Sequence, residues 1–257
     1  MSRFGRTAAL VYGTVCYAIF FVVFLYLIGW VTGLGVPVSI DTGTQGSVPV
    51  ALAIDLALIA LFGLQHSVMA RPGFKAVWTS IVPKPIERAT YVLASSAVLV
   101  LMFVAWRPIP LAIWQARGAL AVVLQAGAFA GFGIVLYTSF LIDHFDLFGL
   151  RQVFLAWRGR PYTEKRFVTP QVYRFIRHPL YVGWMTAFWS APTLSVGRAL
   201  FAAAMTTHIL IAIRYEERDL VAALGEPYRG WRAATPMFLP RVRVRRGRAR
   251  SPAVELP

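Results

Sequence analysis

Four polar side chains near the ends of apolar segments are of types that can move a proton. His66 follows one long apolar run, and Asp143, His144 and Asp146 follow another. An imidazole gains and loses protons near neutral pH, and a neighbouring carboxylate can orient and polarise it. Asp143 and Asp146 share a face if the helix before them continues. These four residues are the candidate catalytic residues, with His66 and His144 as alternative bases.

The composition is that of an integral membrane protein. Of the 257 residues, 58% are hydrophobic and 14% are charged, with a mean hydropathy of +0.61. The net charge of +15 comes from basic residues that cluster between apolar segments, which is typical of cytoplasmic loops facing anionic lipid and not of nucleic-acid-binding modules. The single cysteine, Cys16, lies inside the first apolar segment, so no disulfide can form within the chain.

Six apolar segments predict an all-α membrane bundle of five to six transmembrane helices. Four segments are long enough to cross a bilayer, at about 8–31, 49–68, 89–106 and 118–142. Residues 143–173 mix aromatic and charged residues and predict an amphipathic helix at the interface. A helical hairpin follows, with arms at about 179–191 and 197–213. Its first arm is short for a full crossing and is expected to tilt or to span only in part.

The basic residues predict the orientation. With six arms both termini lie on one side, and that side holds every Lys and Arg except Arg107, Arg117 and Arg198. This bias places both termini in the cytoplasm. The tail, 241–257, carries six arginines between 241 and 250 and is expected to be disordered and to lie on anionic lipid.

In this topology the polar ends of the segments all face the cytoplasm. Besides the four candidates above, Arg177 and His178 begin the hairpin, and Glu216 and Glu217 end it. Ionisable groups at membrane depth are costly and usually functional. Their convergence predicts one site there, against the alternative that each side chain anchors its helix in interfacial water. Asp55 and His208, which lie inside apolar segments, are interpreted instead as packed, hydrogen-bonded residues.

Two other kinds of site do not fit the spacing. The candidate histidines and aspartates are metal-ligand types, but they match no helical zinc motif, and no metal is expected. Gly127, Gly131 and Gly133 lie in the middle of an apolar segment with no strand before them. They predict close helix packing rather than dinucleotide binding.

Several motifs recur in an order that resembles a known family. The C-terminal part contains RHPLYVG at 177–183, EERDL at 216–220, LGEPY at 224–228 and LP at 239–240. This order resembles the C-terminal module of the isoprenylcysteine carboxyl methyltransferase superfamily. Upstream, GLQHSVMARP at 63–72, ERATYV at 87–92 and SFLIDHFDLFGLRQ at 139–152 resemble one branch of it, the bacterial methanethiol S-methyltransferases.

The resemblance implies a cofactor and a domain organisation. In that superfamily the module binds S-adenosylmethionine in a cytoplasm-facing pocket of a helical membrane bundle. We therefore expect a four-span bundle over 1–142, a cofactor module with a hairpin and a cap over 143–240, and the basic tail over 241–257. The cofactor-binding residues that the resemblance implies are Arg177, His178, Tyr181, Gly183, Glu217 and Tyr228.

The chemistry of these residues suits that cofactor, which carries a sulfonium cation, a carboxylate, an ammonium group and a ribose. Arg177 can bind the carboxylate through two nitrogens, and Tyr181 can present an aromatic face. Glu217 can accept hydrogen bonds from the ribose or the ammonium group. Methyl transfer is an in-line displacement by a thiolate, so a base or a cation must stand beside the thiol.

The implied activity is that of an enzyme of the bacterial inner membrane with a cytoplasmic active site. It would methylate a small volatile thiol, methanethiol, and possibly hydrogen sulfide, leaving dimethyl sulfide and S-adenosylhomocysteine. The lipid bilayer is its other partner, and nucleic acid is not expected. The alternatives are a methyltransferase for a larger lipid-like acceptor, a nicotinamide-dependent membrane reductase on the same module, and a transporter, which predicts polar residues at both leaflets.

Deletion of residues 241–257 is expected to leave methyl transfer in detergent largely intact, because the tail lies outside all of these motifs. The measurement compares the S-adenosylhomocysteine formed by the full-length and truncated proteins. An inactive truncated protein would show instead that the tail closes the site.

Overall fold

A computed structural model describes residues 1–163 and 169–240 and confirms the all-α membrane bundle. Among these residues, five helices are long and apolar enough to cross a membrane: α1 (Arg3–Thr32), α2 (Val48–Ala70), α4 (Lys84–Ala105), α5 (Gly118–Leu141) and α9 (Val196–Leu224). Five shorter helices are α3 (Pro72–Trp78), α6 (His144–Leu147), α7 (Leu150–Trp157), α8 (Pro179–Trp189) and α10 (Glu226–Ala234), and Gln171–Arg174 forms a 3₁₀ turn. The predicted tail, 241–257, lies outside the described residues.

Short sequence signals set many of the helix ends. Ser2 caps α1 by accepting a hydrogen bond from the backbone N–H of Gly5 at 3.1 Å, and Gly33 ends the helix with φ of 74°. Proline lies in the first turn of α2, α3, α4, α8 and α10. A first-turn proline fits because the N–H that it lacks has no partner inside the helix.

One end of the bundle, formed by residues 33–47, 106–117 and 190–195, is held by a small sheet and an ion pair; we call it the far end. There β1 (Ala112–Gln115) pairs antiparallel with β2 (Thr193–Ser195). Arg198, at the start of α9, lies 2.7 Å from Asp41 and also donates to the carbonyl of Val31. These contacts tie the loops that follow α1, α4 and α8 to one another.

The helix α8 is short, and by itself it carries the chain only about halfway across the bundle. Its 11 residues extend about 16 Å, roughly half the hydrocarbon thickness. It begins at His178, and the extended residues after it reach β2 at the far end. The helix α1 ends at the far end and α9 begins there. The start of α1 and the last turn of α9 therefore lie on the opposite side of the bundle, together with α6, α7 and α10, and we call this side the site end.

The backbones of α5 and α8 touch. A Cβ added at Gly131 would lie 2.4 Å from the Ala187 nitrogen, and one at Gly183 would lie 2.9 Å from the Gly131 carbonyl oxygen. Farther toward the start of α5, a Cβ at Gly127 would lie 3.0 Å from Ser190 Oγ, whereas a Cβ at Gly133 would meet nothing within 4 Å. The packing predicted for these glycines is thus correct at two of the three. We call this contact the α5–α8 seam.

The densest core lies toward the far end. Trp30 is fully buried, and its ring meets Trp106 and Phe201 edge-to-face at centroid distances of 5.3 Å. The indole of Trp106 donates to the Ile40 carbonyl at 3.0 Å. Asp55, predicted to be packed and hydrogen-bonded, is buried and accepts from the Arg107 backbone N–H at 2.9 Å. Large side chains thus fill the space between the helices at the far end, and the cavity described below lies at the site end.

The single interfacial helix predicted over 143–173 is wrong. Asp143 and Gly149 have positive φ, 84° and 89°, and each breaks the helical path, so the chain forms α6 and α7 instead. The helix α7 packs on α1, where the fully buried Val153 fits against Gly13. Asp143 and Asp146 therefore do not share a face of one continuing helix.

Gly131→Val is expected to lower the unfolding free energy by about 1–3 kcal/mol or more, because its side chain would enter the backbone of α8. Gly133→Val is the matched control on the same helix, and it has open space. Thermal unfolding of both variants in the same detergent tests this. Equal melting temperatures for the two would show that α8 moves away at little cost.

Candidate active site

A cavity of about 910 Å³ lies between the helices at the site end. This volume falls in the range of pockets that hold cofactor-sized ligands. Most of the lining is apolar or aromatic, and it comes from α1, α2, α4, α5, α8 and α9. Its ionisable lining residues are His66, Arg88, Tyr91, Asp143, His144, Tyr173, Arg177, His178, Tyr181, His208, Glu216 and Tyr228.

His144 reaches the cavity with both ring nitrogens held by hydroxyl groups. Its Nδ1 lies 2.8 Å from Ser139 Oγ, and its Nε2 lies 2.8 Å from the Tyr17 hydroxyl. The ring stacks on Phe140 at 4.2 Å. Burial lowers the pKa of His144, because the charged form loses its hydration. These two hydroxyls orient the imidazole, and the predicted role of Asp143 or Asp146 in orienting it stays a prediction.

The two aspartates have different places. Asp143 lines the cavity, and its carboxylate accepts from the Asp146 backbone N–H at 3.2 Å, which caps α6. Asp146 does not line the cavity. Its carboxylate pairs with Arg151 at 2.9 Å and accepts from the Tyr162 hydroxyl at 3.2 Å. The structure therefore gives Asp146 a role in holding α6 to the segment after α7, in place of the predicted catalytic one.

His66 lies near the end of α2 and faces the cavity. The Tyr91 hydroxyl oxygen is 3.0 Å from its Nδ1 and 2.9 Å from its Nε2, and Ser95 Oγ is 3.4 Å from Nδ1. Phe62 stacks on the ring at 5.2 Å, and His208 meets it edge-on at 6.1 Å. His208 was interpreted as a packed residue, and the structure adds that it lines the cavity beside His66.

Glu217 contacts two guanidinium groups and an imidazole instead of facing the cavity. Its Oε1 lies 2.9 Å from Arg177 Nε and 2.9 Å from His178 Nε2, and its Oε2 lies 2.9 Å from Arg232 Nε. The residue is 4% exposed and does not line the cavity. The carboxylate that does so is its neighbour, Glu216, which accepts from the Tyr181 hydroxyl at 2.9 Å. In this position Glu217 is held by protein groups, and the ligand-binding role predicted for it stays a prediction.

Arg177 is likewise held by protein groups. Its Nη1 donates to the carbonyls of Arg232 and Thr235 at 2.7 and 3.1 Å. The backbone N–H groups of Arg177 and His178 donate to the carbonyls of Pro236 and Met237. These bonds fasten the segment after α10 to the start of α8. Of the six predicted binding residues, Arg177, His178, Tyr181 and Tyr228 reach the cavity, and their role in binding stays a prediction.

Gly183 lies in the α5–α8 seam and not on the cavity wall. A Cβ there would lie 2.9 Å from the Gly131 carbonyl oxygen and from the Val135 nitrogen. Its lack of a side chain is explained by close packing of the two helices, which corrects the cofactor-binding role predicted for it.

Aromatic residues close the cavity on the side of α10. Tyr228 is 1% exposed, and its ring lies 5.5 Å from that of Trp231, which also lines the cavity. Burial, with the negative charges of Glu217 and Glu216, raises the pKa of Tyr228 to about 12. Burial and the charge of Glu216 also raise the pKa of Tyr173. Both phenols are therefore neutral at physiological pH and can donate hydrogen bonds to a ligand. We call α10 and residues 235–238 the cap.

Within residues 1–163 and 169–240, no group of three or more His, Cys, Asp or Glu side chains is placed to hold a metal ion. The cavity instead combines the carboxylates of Asp143 and Glu216, guanidinium groups from Arg88 and Arg177, and many aromatic faces. Such a set suits an organic ligand with a cationic group and a ring system.

Comparisons with known proteins decide the family. Over 240 residues the chain is 47% identical to the methanethiol S-methyltransferase of Crocosphaera subtropica, which covers 93% of this chain and 94% of the other. It is 46% identical over 236 residues to the methanethiol S-methyltransferase of Mycobacterium tuberculosis, with 91% and 97% covered. The chain belongs to the methanethiol S-methyltransferase family. Nurim of Homo sapiens is more distant, at 33% identity over 183 residues, 68% of this chain and 70% of the other. No family model and no solved structure matches the chain.

Several residues that line the cavity of this methanethiol S-methyltransferase family member, or hold its lining side chains, were not predicted from the sequence. Tyr17 and Ser139 hold His144, and Tyr91 contacts His66. Arg88 and Tyr91 both fall in the ERATYV motif at 87–92, which was noted only as a resemblance. Their spacing of three residues places them on one helical face, and that was the available signal.

Glu217→Ala is expected to lower the free energy of unfolding by about 3–5 kcal/mol, because it leaves the guanidinium groups of Arg177 and Arg232 and the imidazole of His178 without their shared carboxylate. Glu216→Gln is the matched control. It should leave stability unchanged, because Glu216 is exposed and the amide still accepts from Tyr181. Melting curves and ligand titration distinguish the two. If the Glu217→Ala protein is as stable as wild type and has lost only ligand binding, Glu217 binds the ligand directly.

Proposed function

We propose that this protein transfers a methyl group from S-adenosylmethionine to methanethiol, giving dimethyl sulfide and S-adenosylhomocysteine. Near full-length similarity to methanethiol S-methyltransferases carries the proposal. A large cavity at a single end of the bundle supports it, because its lining includes the imidazoles of His66 and His144 and the carboxylates of Asp143 and Glu216.

The donor suits the part of the cavity beside the cap. Glu216 can pair with its ammonium group or sulfonium, and Arg177 supplies positive charge for its carboxylate. Tyr173, Tyr228 and Trp231 offer aromatic faces for the adenine or the sulfonium. When bound, the donor supplies an electrophilic methyl group. The cap residues hold and orient it, and their packing excludes water from the reacting atoms.

The acceptor needs a small apolar space and loss of its proton. Phe62, Leu99 and Met102 line the cavity and suit a thiol with a single methyl group. A thiol is a weak nucleophile until it loses its proton and becomes a thiolate. An imidazole on the cavity wall can act as the base that accepts this proton. His66 and His144 are both on that wall.

We place the protein in the bacterial inner membrane, with both termini and the cavity on the cytoplasmic side. The basic residues support this orientation, because those at the far end are Arg107, Arg117 and Arg198, and Arg198 is paired with Asp41. The S-methyltransferase names of the full-length relatives do not favour a larger lipid-like acceptor or a nicotinamide-dependent reductase.

The test is headspace gas analysis of purified protein in detergent with S-adenosylmethionine and methanethiol. We expect dimethyl sulfide and S-adenosylhomocysteine in equal amounts. In parallel trials, hydrogen sulfide or an isoprenylated thiol replaces methanethiol. In a further trial a nicotinamide cofactor replaces S-adenosylmethionine. Absence of dimethyl sulfide, with turnover in one of the parallel trials, would overturn the proposal.

A further inference from the structure

The two candidate bases on the cavity wall, His66 and His144, differ in how much of their hydrogen-bonding capacity is already used. A neutral imidazole has one N–H donor and one lone-pair acceptor. At His144 both positions are filled, by Ser139 Oγ at 2.8 Å and by the Tyr17 hydroxyl at 2.8 Å. Ser139 Oγ donates to the Leu136 carbonyl at 2.7 Å, so it accepts from the Nδ1–H of His144, and the Tyr17 hydroxyl donates to Nε2. For His144 to take a proton from a substrate, one of these bonds must break.

At His66 a single hydroxyl serves two nitrogens. The Tyr91 oxygen lies 3.0 Å from Nδ1 and 2.9 Å from Nε2, a position beside the carbon between them. It is off both nitrogen lone-pair directions, and one O–H proton can bond only one nitrogen at a time. Ser95 Oγ, at 3.4 Å from Nδ1, is the other side-chain contact of this kind in the described chain. The nitrogens of His66 therefore have one shared, off-axis contact and one long contact, so a substrate proton displaces less hydrogen bonding here than at His144.

A cation stands next to this imidazole. Arg88 lines the cavity one helical turn before Tyr91 and lies over its ring at 5.6 Å. In the part of the chain that the structure describes, no carboxylate forms an ion pair with Arg88, whereas Arg177 is held by Glu217. A positive charge within a few ångströms favours a thiolate over a thiol. Arg88 is thus placed to hold an anion beside His66.

The remaining neighbours fix the ring of His66 and leave little room. Phe62 covers one face, and His208 on α9 meets the ring at 6.1 Å. Gly63 makes the place for His208, whose Nδ1 would lie 3.3 Å from a Cβ at that position. The charged and titratable groups around His66 are Arg88 and Tyr91 on α4, His208 on α9 and, beyond Tyr91, Tyr181 on α8.

We propose that the thiol binds at a subsite formed by His66, Tyr91 and Arg88, where His66 takes its proton and Arg88 and the Tyr91 hydroxyl hold the thiolate sulfur. This inference rests on the proposed function. The thiol S–H bond breaks with its electron pair left on sulfur, and the proton passes to a His66 nitrogen. That sulfur then forms a bond to the methyl carbon, whose bond to the sulfonium breaks and leaves its pair on the departing thioether. His66 returns the proton to water, and His144 positions α6 without taking part in proton transfer.

The test compares His66→Gln with His144→Gln, the same change at two imidazoles of one cavity. Removal of a general base costs roughly 10²-fold or more in kcat/KM for methanethiol at neutral pH. For His66→Gln this loss should shrink as the pH rises toward the pKa of the thiol, because the thiolate then forms unaided. For His144→Gln the ratio to wild type should stay constant with pH. A constant ratio for His66→Gln, or a shrinking loss for His144→Gln, overturns the assignment.

A second pair of variants keeps the subsite testable if His66→Gln fails to fold. Arg88→Met should raise the KM for methanethiol and leave the affinity for S-adenosylhomocysteine unchanged by calorimetry, and Arg88→Lys should restore part of the thiol KM. A loss of S-adenosylhomocysteine affinity in Arg88→Met would assign Arg88 to the donor and overturn this subsite. Wild-type protein that binds S-adenosylhomocysteine but produces no dimethyl sulfide would instead overturn the proposed function. An active wild type with unaffected His66 and Arg88 variants removes only the subsite.

Discussion

A single buried carboxylate keeps the site end together. Glu217 on α9 faces Arg177 and His178, which lead into α8, and Arg232 on α10. Removing a charge from water is costly, and in a low-dielectric interior that cost is offset only while the opposite charges stay in contact. Three separate segments are therefore fixed relative to one another by one side chain. The cap residues Tyr228 and Trp231 lie against the cavity because of this arrangement.

The two ends of the bundle differ in how the space between the helices is filled. At the far end, Trp30 and its aromatic neighbours fill the space between helices, and the pair of Asp41 and Arg198 holds the loops. At the site end the same helices leave a cavity whose walls carry the polar groups. A protein in lipid gains little from burying apolar side chains against one another, so close backbone contacts and polar bonds determine where the helices separate.

Apolar length predicted the five long helices because a chain in lipid must satisfy its own backbone hydrogen bonds, and only long helical runs do so. The break at Asp143 was not predictable in this way, because it depends on α7 packing against α1 through Val153 and Gly13. The β1–β2 pairing escaped prediction for the same reason, since its two strands lie far apart in sequence.

For the site, helix ends predicted correctly that His66 and His144 share one cavity. Their partners were not predictable, because Tyr17 is 127 residues from His144 and meets it only through tertiary packing. The choice between Glu216 and Glu217 needed the rotation of α9. Adjacent helical residues point about 100° apart, so one faces the cavity and the other faces the cap.

The α5–α8 seam decides which parts of this molecule can give way during a catalytic cycle. Backbone touches backbone at Gly131 and Gly183, so no rotamer change can part the two helices. The two helices therefore stay fixed relative to each other, and a nucleoside-sized molecule can enter only where the cavity wall is built of side chains, such as those of Tyr173, Tyr228 and Trp231. The slowest step in such an enzyme would then be the movement of these aromatic side chains, because it also limits how soon the used donor leaves the cavity.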